Sequence, residues 1–350
     1  MLLSRRRFFA LSALGCGLLP VACSSKSGAK KFKVGVVTNC TAEFWSIAEA
    51  GAMKAGKDFD VDVVFRQPKT NTVKDQMDIV KDLVSVGVTG LSVSVISPDE
   101  QSKSLAAIAE QTGLLTMDSD APGTNRKAFI GVDNYEAGKA VGRMIKKALP
   151  QGGTVALFIG TTSSANAVGR IGGVVDELAG VKDAPRTAGA SLGLFKLENV
   201  YTDGAEETKA QDNAKDVIEK LRTVPNLALV GLFAYNPKAI LMAARAKGLA
   251  GKVTIAGFDE DVGTLRGIAD GDIVGTVVQD PFNYGYKSVE FLSFLAKGEA
   301  GKVKDYSIPY RLITKDGAPT ETINGVSVVN LKVTEFEAKM KADLDSVKAK

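Results

Sequence analysis

The chain has 350 residues, of which 45% are hydrophobic and 24% charged, with a formal net charge of +4 and no histidine. That length exceeds the roughly 250–300 residues at which a single core stops growing, so two domains are expected. The missing histidine excludes Ser-His-Asp and Cys-His nucleophilic arrangements, histidine general bases and histidine metal sites.

The chain opens with Arg5, Arg6 and Arg7, followed by an apolar run from Phe8 to Ala22. This is the shape of an export signal over residues 1–22. Ser4-Arg5-Arg6-Arg7-Phe8-Phe9 resembles a twin-arginine signal. Cys23, before the polar stretch Ser24 to Lys31, resembles a bacterial lipoprotein cleavage site. Pro20 stands where a leucine usually precedes that cysteine, Cys16 is a second candidate, and cleavage without a lipid is the alternative. Residues 23–31 then form a lipid-anchored tether. Loss of Arg5, Arg6 and Arg7 removes three positive charges from the net +4 and leaves +1. The basic balance therefore gives no case for nucleic acid, which needs a clustered basic face. Cys40 becomes the only thiol, so no internal disulfide is available and stability must come from core size.

From Phe32 onward, short apolar runs alternate with amphipathic stretches. Strands are expected at 32–37, 61–65, 90–95, 114–117 and 129–132, with helices at 44–59, 72–86 and 99–111 between them. The rhythm restarts with a helix at 134–149. Strands follow at 154–159, 197–201, 227–233, 253–258 and 273–278, separated by helices at 165–178, 206–222, 237–247 and 261–269. A helix at 282–296 and a strand at 308–313 complete the series. Val333 to Val347 reads as a short amphipathic helix. This alternation implies parallel sheets covered on both faces, and the fold class is α/β with two αβα sandwich domains. A (β/α)8 barrel is the competitor. Two short strands without a helix between them, across 113–132, count against it.

No dinucleotide fingerprint, phosphate loop, nucleophile elbow or metal-spaced cysteine set occurs, so no cofactor and no metal are expected. The pairs Asp118 with Asp120 and Asp259 with its neighbours Glu260 and Asp261 suit a glycosidase, an oxygen-ligand metal, sugar hydroxyls or plain loop caps. Parallel sheets bind ligands beyond the C-terminal ends of their strands. Those ends carry Asn39, Thr41, Phe44, Trp45, Asp118, Ser119, Asp133, Asn166, Arg170, Thr202, Tyr235, Asn236, Asp259 and Gln279. Carboxylates and amides take hydroxyl protons, one arginine donates, and aromatic faces cover C–H patches. The set suits a small neutral polyhydroxylated ligand. Trp45 reads equally as a ligand platform or a core filler.

Several segments carry a resemblance in order: Thr41-Ala42-Glu43-Phe44-Trp45, Asp118-Ser119, Ile130 to Asn134 with Gly138, Asn166 through Arg170 to Gly173, Phe233 to Asn236, Gly257-Phe258-Asp259, and Val278 to Pro281. From about Lys33 to Ile313 the chain resembles the periplasmic sugar-binding proteins of the ribose-binding type, ligand-capturing subunits of ATP-driven importers. The resemblance implies a type I periplasmic-binding fold with three crossover hinge segments. It implies lobes at 32–132 plus 280–306 and at 133–279 plus 307–325, with 326–350 as a helical C-terminal extension. It implies a monomer that is not an enzyme and that hands a small neutral sugar or polyol to the transmembrane subunits of an ABC permease, at the periplasmic or extracytoplasmic face. The chain departs from the ribose type where Ser119 replaces an arginine, Thr202 a phenylalanine and Tyr235 a polar residue, so ribose itself fits poorly. The alternatives are a sensor component delivering a sugar or furanone signal to a receptor kinase, a repressor-type regulator, and a hydrolase using Asp118 and Asp259. The export signal opposes the regulator, and neighbouring genes would separate importer from sensor.

Overall fold

The computed structural model describes residues 31–317, 321–323 and 326–348. The signal, Cys23 and the tether up to residue 30 lie outside the described residues. In chain order, the first group of elements is β1 (Phe32–Val37), α1 (Glu43–Phe59), β2 (Val61–Arg66), α2 (Val73–Ser85), β3 (Gly90–Val93), α3 (Pro98–Ala109), β4 (Gly113–Met117) and β5 (Phe129–Gly131). The second group runs α4 (Asn134–Ala148), β6 (Gly153–Ile159), α5 (Ala165–Ala179), β7 (Ser191–Leu192), β8 (Phe195–Thr202), α6 (Glu207–Leu221), β9 (Leu227–Gly231), α7 (Asn236–Ala246), β10 (Thr254–Phe258), α8 (Val262–Asp270) and β11 (Gly275–Val278). The chain closes with α9 (Pro281–Ala296), β12 (Tyr306–Ser307), β13 (Arg311–Thr314), β14 (Glu321–Ile323), β15 (Val326–Lys332) and α10 (Val333–Lys348).

Among the described residues there are two open sheets, so the barrel alternative fails. One is six-stranded and parallel throughout, in the order β12-β5-β4-β3-β1-β2. The other has the order β14-β15-β13-β11-β10-β9-β6-β8-β7. Its centre, β8 to β11, is parallel, and antiparallel partners stand outside it at β13 and β7. Strands such as β1, β3 and β9 are buried on both faces, as near-continuous apolar runs require. Each sheet is flanked by helices, which makes two αβα lobes. The chain passes between them after β5, after β11 and after β12.

The third crossing differs from the sequence expectation. The strand expected at 308–313 is two strands in different sheets, β12 and β13, with Ile308, Pro309 and Tyr310 between them. Pro309 has no N–H to give a ladder, which suits a segment leaving one sheet for another. The crossings are tied together by one side chain. The Tyr284 hydroxyl accepts from the Val132 N–H at 3.3 Å and donates to Gln279 Oε1 at 2.6 Å, so α9 links the first crossing to the second.

Two helix pairs pack closely, α1 with α9 in the first lobe and α4 with α5 in the second. Both rely on glycine. A Cβ on Gly51 or Gly285 would meet backbone oxygen of the facing helix at 1.9 and 1.8 Å. These contacts hold α1 and α5 where their first turns reach the cleft. The amphipathic stretch at the C-terminus lies in α10, which packs on α8 and β13 of the second lobe and also on α1 of the first. The strand pair β14–β15 ahead of it extends the second sheet.

Candidate functional site

The cleft lies where the C-terminal strand ends of both sheets face each other. After β4 and after β10 the chain turns sharply, and Asp118 and Asp259 both adopt left-handed backbone, at φ 56° and φ 66°. Aspartate tolerates that region better than most residues, and such strain gathers at functional sites. Both carboxylates are buried. They come from opposite lobes.

Arg170, on α5, lies between them. Its Nη2 is 3.6 Å from Asp118 Oδ1 and its Nη1 is 3.7 Å from Asp259 Oδ2. These are ion pairs longer than hydrogen bonds. The guanidinium is anchored by Nε donating to Asn134 Oδ1 and Nη1 donating to the Leu232 carbonyl, both at 2.9 Å. It also lies 3.9 Å from the centre of the Phe258 ring, within cation–π range. Nη2 has no hydrogen-bond partner although it is buried.

Asp118 Oδ2 accepts from Ser94 Oγ at 2.8 Å, from Asn166 Nδ2 at 2.9 Å and from Asn39 Nδ2 at 3.4 Å. Asp259 Oδ1 accepts from Gln279 Nε2 at 2.7 Å. Phe44 and Trp45 meet edge to face at 5.0 Å, and Phe44 also packs against Tyr284. The pocket these groups bound holds about 350 Å³ of free space, part of it open to solvent.

Of the residues expected from sequence, Asn39, Phe44, Trp45, Asp118, Asn166, Arg170, Tyr235, Asp259 and Gln279 line this pocket together. Thr202 is exposed and lines an adjoining cavity at the cleft mouth. Thr41 is exposed and donates to the Pro68 carbonyl. Ser119 is buried outside the pocket, and its hydroxyl has no partner. Asp133 caps α4 by accepting from the N–H groups of Tyr135 and Glu136. Asn236 is turned toward Asp203, donating to it at 2.8 Å and accepting from the Phe233 N–H. Asp120 is held by Arg126, so it makes no pair with Asp118. Trp45 is both things the sequence left open: it is buried, and it lines the pocket.

Cys40, Ala42, Phe233 and Ala234 also line the pocket and were missed. Cys40 is buried, which pushes its thiol up to about 12. Asp203, a strand-end residue beside Thr202, serves as an anchor. It is buried and accepts from the Tyr235 hydroxyl at 2.6 Å, which fixes that ring against the pocket. The Tyr201-Thr202-Asp203 strand end held the signal, but nothing in it distinguished Thr202 from Asp203.

Burial pushes the Asp118 carboxyl upward, against the pull of Arg170 and its hydrogen-bond donors. Burial likewise pushes Asp259 to about 6, with Arg170 and Gln279 opposing. One cation facing two carboxylates leaves an excess of acceptors. The site therefore suits a neutral ligand with several hydroxyl donors better than an anion. Ligand affinity is expected to fall as pH drops through about 6, because protonation removes acceptor sites on Asp259. The effect on stability has the opposite sense. A folded-state value above the unfolded one gives a contribution present below the ordinary carboxylate range and lost as pH rises through about 6. Calorimetric titration from about pH 5 to pH 8 measures the binding effect, and an affinity flat across that window would remove Asp259 as an acceptor.

Two lobes of parallel αβα architecture, joined by three crossings around a polar cleft, define a solute-binding class of protein. The periplasmic binding protein domain family matches residues 34–300, and the chain belongs to that family. The ribose import binding protein RbsB of Salmonella typhimurium is 25% identical over 308 residues, which cover 85% of this chain and 95% of that protein. The D-allose-binding periplasmic protein of Escherichia coli is 23% identical over 273 residues, covering 74% and 82%. Among solved structures, a solute-binding protein from Burkholderia graminis in complex with D-arabinose matches with a TM-score of 0.75 at 25% identity. That match covers 82% of this chain and 96% of the other.

Proposed function

We propose that the chain captures a small neutral sugar or polyol between its two lobes, outside the cytoplasm, and delivers it to an ABC-type permease. The observation that carries this reading is Arg170 poised between Asp118 of one lobe and Asp259 of the other, in a pocket walled by Phe44 and Trp45. Carboxylates of opposite lobes can then take hydroxyls of one ligand, and the rings can cover its C–H faces. The arabinose of the Burkholderia structure and the ribose and allose of the relatives' names support the ligand class. The work is capture, with no bond made or broken.

The lobes touch across the cleft. Asn166 donates to Asp118, Asn71 Nδ2 donates to the Ala205 carbonyl at 3.0 Å, and Ser163 Oγ donates to the Ile96 carbonyl at 3.4 Å. These contacts belong to the closed arrangement. A ligand drives closure only so far as it binds the closed form better than the open one. Hinges at the three crossings would let residues 32–132 plus 280–306 rotate against 133–279 plus 307–325. The protein acts as a monomer in this reading.

The test is a thermal-shift and calorimetric screen of monosaccharides and polyols. A ligand present at about 100 times its Kd adds about 2.7 kcal/mol of apparent stability by mass action. Absence of any shift across pentoses, hexoses and polyols would overturn the ligand class.

Residues 1–22 are read as a signal and Cys23 as the lipid-bearing first residue of the exported chain. A durable anchor needs more than one acyl chain, and the polar tether supplies reach. Labelled palmitate is expected in the wild-type chain and not in Cys23→Ala; label that persists in the variant moves the site or ends the lipoprotein reading.

A further inference from the structure

A second chamber adjoins the pocket at the cleft mouth, where Thr202 lies. The two meet at Asn39, Cys40 and Phe233, which line both. The chamber holds about 770 Å³ of free space against about 350 Å³ in the pocket, each partly open to solvent. One sugar ring seated among Asp118, Arg170 and Asp259 leaves the chamber to water.

The chamber is built as the pocket is, from the C-terminal strand ends of both sheets. The first lobe supplies Asn71 and Ile96, and the second supplies the turns after β6 and β8. Two bonds between the lobes run along its wall. Asn71 Nδ2 donates to the Ala205 carbonyl at 3.0 Å, and both residues line the chamber. The carbonyl of Ile96, another lining residue, accepts from Ser163 Oγ at 3.4 Å. The movement that closes the pocket therefore closes the chamber as well. A group held there touches both lobes and favours the closed form, which is the condition for a ligand to drive closure.

The lining chemistry differs from that of the pocket. No carboxylate lines the chamber, and its one charged lining residue is Lys209. The hydroxyls of Thr161, Thr162, Ser164 and Thr202 line it instead. Thr161 is paired with Ser163, and Ser164 donates to Asn166. The side chains of Thr162, Thr202 and Lys209 make no hydrogen bond or ion pair among the described residues. Free hydroxyls both donate and accept, as sugar hydroxyls do, so the two pair in either sense. Phe233, half-buried where the cavities meet, offers apolar ring surface for C–H groups.

We propose that the chamber is a subsite for a second, neutral sugar ring, so that the preferred ligand is a disaccharide with one ring in the pocket and the other in the chamber. The inference rests on the sugar-binding reading above and extends it from one ring to two. The ring in the pocket is held by charged groups, and the ring in the chamber by hydroxyls and the Phe233 ring.

The experiment is calorimetric titration of the full exported chain with D-ribose, D-arabinose, D-xylose, D-glucose and D-galactose. Alongside them run the disaccharides that join each of these to D-glucose, at each hydroxyl and in both anomers. At least one disaccharide is expected to bind about tenfold or more tightly than either of its component sugars, the return of one or two further hydrogen bonds and a covered ring. Thr162→Trp and Lys209→Trp each fill the chamber from outside the pocket. Both should remove that gain and leave the affinity for the single sugars unchanged. If single sugars bind and no disaccharide binds more tightly, the subsite is wrong and the sugar-binding reading stands. A gain that survives both substitutions also overturns it. If neither single sugars nor disaccharides bind, both readings fall.

Discussion

Replacing Arg170 with methionine is expected to abolish measurable sugar binding and to destabilise the second lobe at the same time. The guanidinium is 2% exposed and is the cation facing both Asp118 and Asp259. Methionine keeps most of the side-chain volume but leaves two buried carboxylates uncompensated. Removing one partner of a buried ion pair costs about 3–5 kcal/mol. The freed Asn134 and Leu232 oxygens add the cost of unsatisfied acceptors. The loss should depend on pH. Arg170 holds down the proton affinity of both aspartates, so without it their folded-state values rise further. Groups shifted in that direction destabilise increasingly as pH rises through the folded value. The variant's deficit in Tm against wild type should therefore be larger at pH 7.5 than at pH 5. Thermal unfolding at both pH values tests this, and an unchanged Tm at pH 7.5 would show that the carboxylates do not depend on the arginine. Arg170→Lys should recover only part of the loss, because one ammonium cannot reproduce the forked contacts to Asn134 and Leu232.

The second large effect is expected from Gly138→Ala, a substitution of one methyl that touches no ligand. Gly138 is in α4, and a Cβ there would lie 2.4 Å from the Arg170 carbonyl oxygen. Its counterpart Gly173, in α5, would meet the Tyr135 carbonyl oxygen at 2.0 Å. The obstacle in each case is backbone, so α5 has to move as a unit. Overpacking of this kind costs about 1–3 kcal/mol. Because α5 carries Asn166 and Arg170, the same displacement should lower affinity about tenfold, through misplacement of the binding groups. Gly172→Ala, also in α5, is the control. Its Cβ would meet the end of the Arg186 guanidinium at 2.7 Å, a flexible obstacle that can swing away. Equal Tm and equal affinity for the two variants would mean that the α4–α5 contact does not position the site.

Much of the cleft was legible because parallel sheets send every strand's C-terminal end to one edge. That rule alone put Phe44, Asp118, Asn166, Arg170, Asp259 and Gln279 in one place, and the structure brings all six to one pocket. The rule does not say which of several adjacent strand-end residues turns inward. Asp118 lines the pocket while Ser119 beside it does not, because the backbone is left-handed at Asp118. Thr41 and Asp133 are spent on other duties, a hydrogen bond to the Pro68 carbonyl and a helix cap, which strand-end position does not exclude. Asn236 carries a polar group suited to sugar, yet both ends of its amide are spent on Asp203 and Phe233.

The sequence by itself determined the alternation of strands and helices, and through it the two αβα lobes. Those follow from apolar periodicity, from turn residues and from the need of parallel strands for covered faces. It also determined the sign of the site, since the chain has no histidine and its strand ends carry one arginine against several carboxylates and amides. Only the tertiary structure decided that Asp118 and Asp259 share one guanidinium across the cleft, that 308–313 is divided between two sheets, and that α10 crosses to α1. Each of these depends on contacts between residues far apart in the chain, and such contacts are set by how the two sheets lie against each other, which no local pattern records.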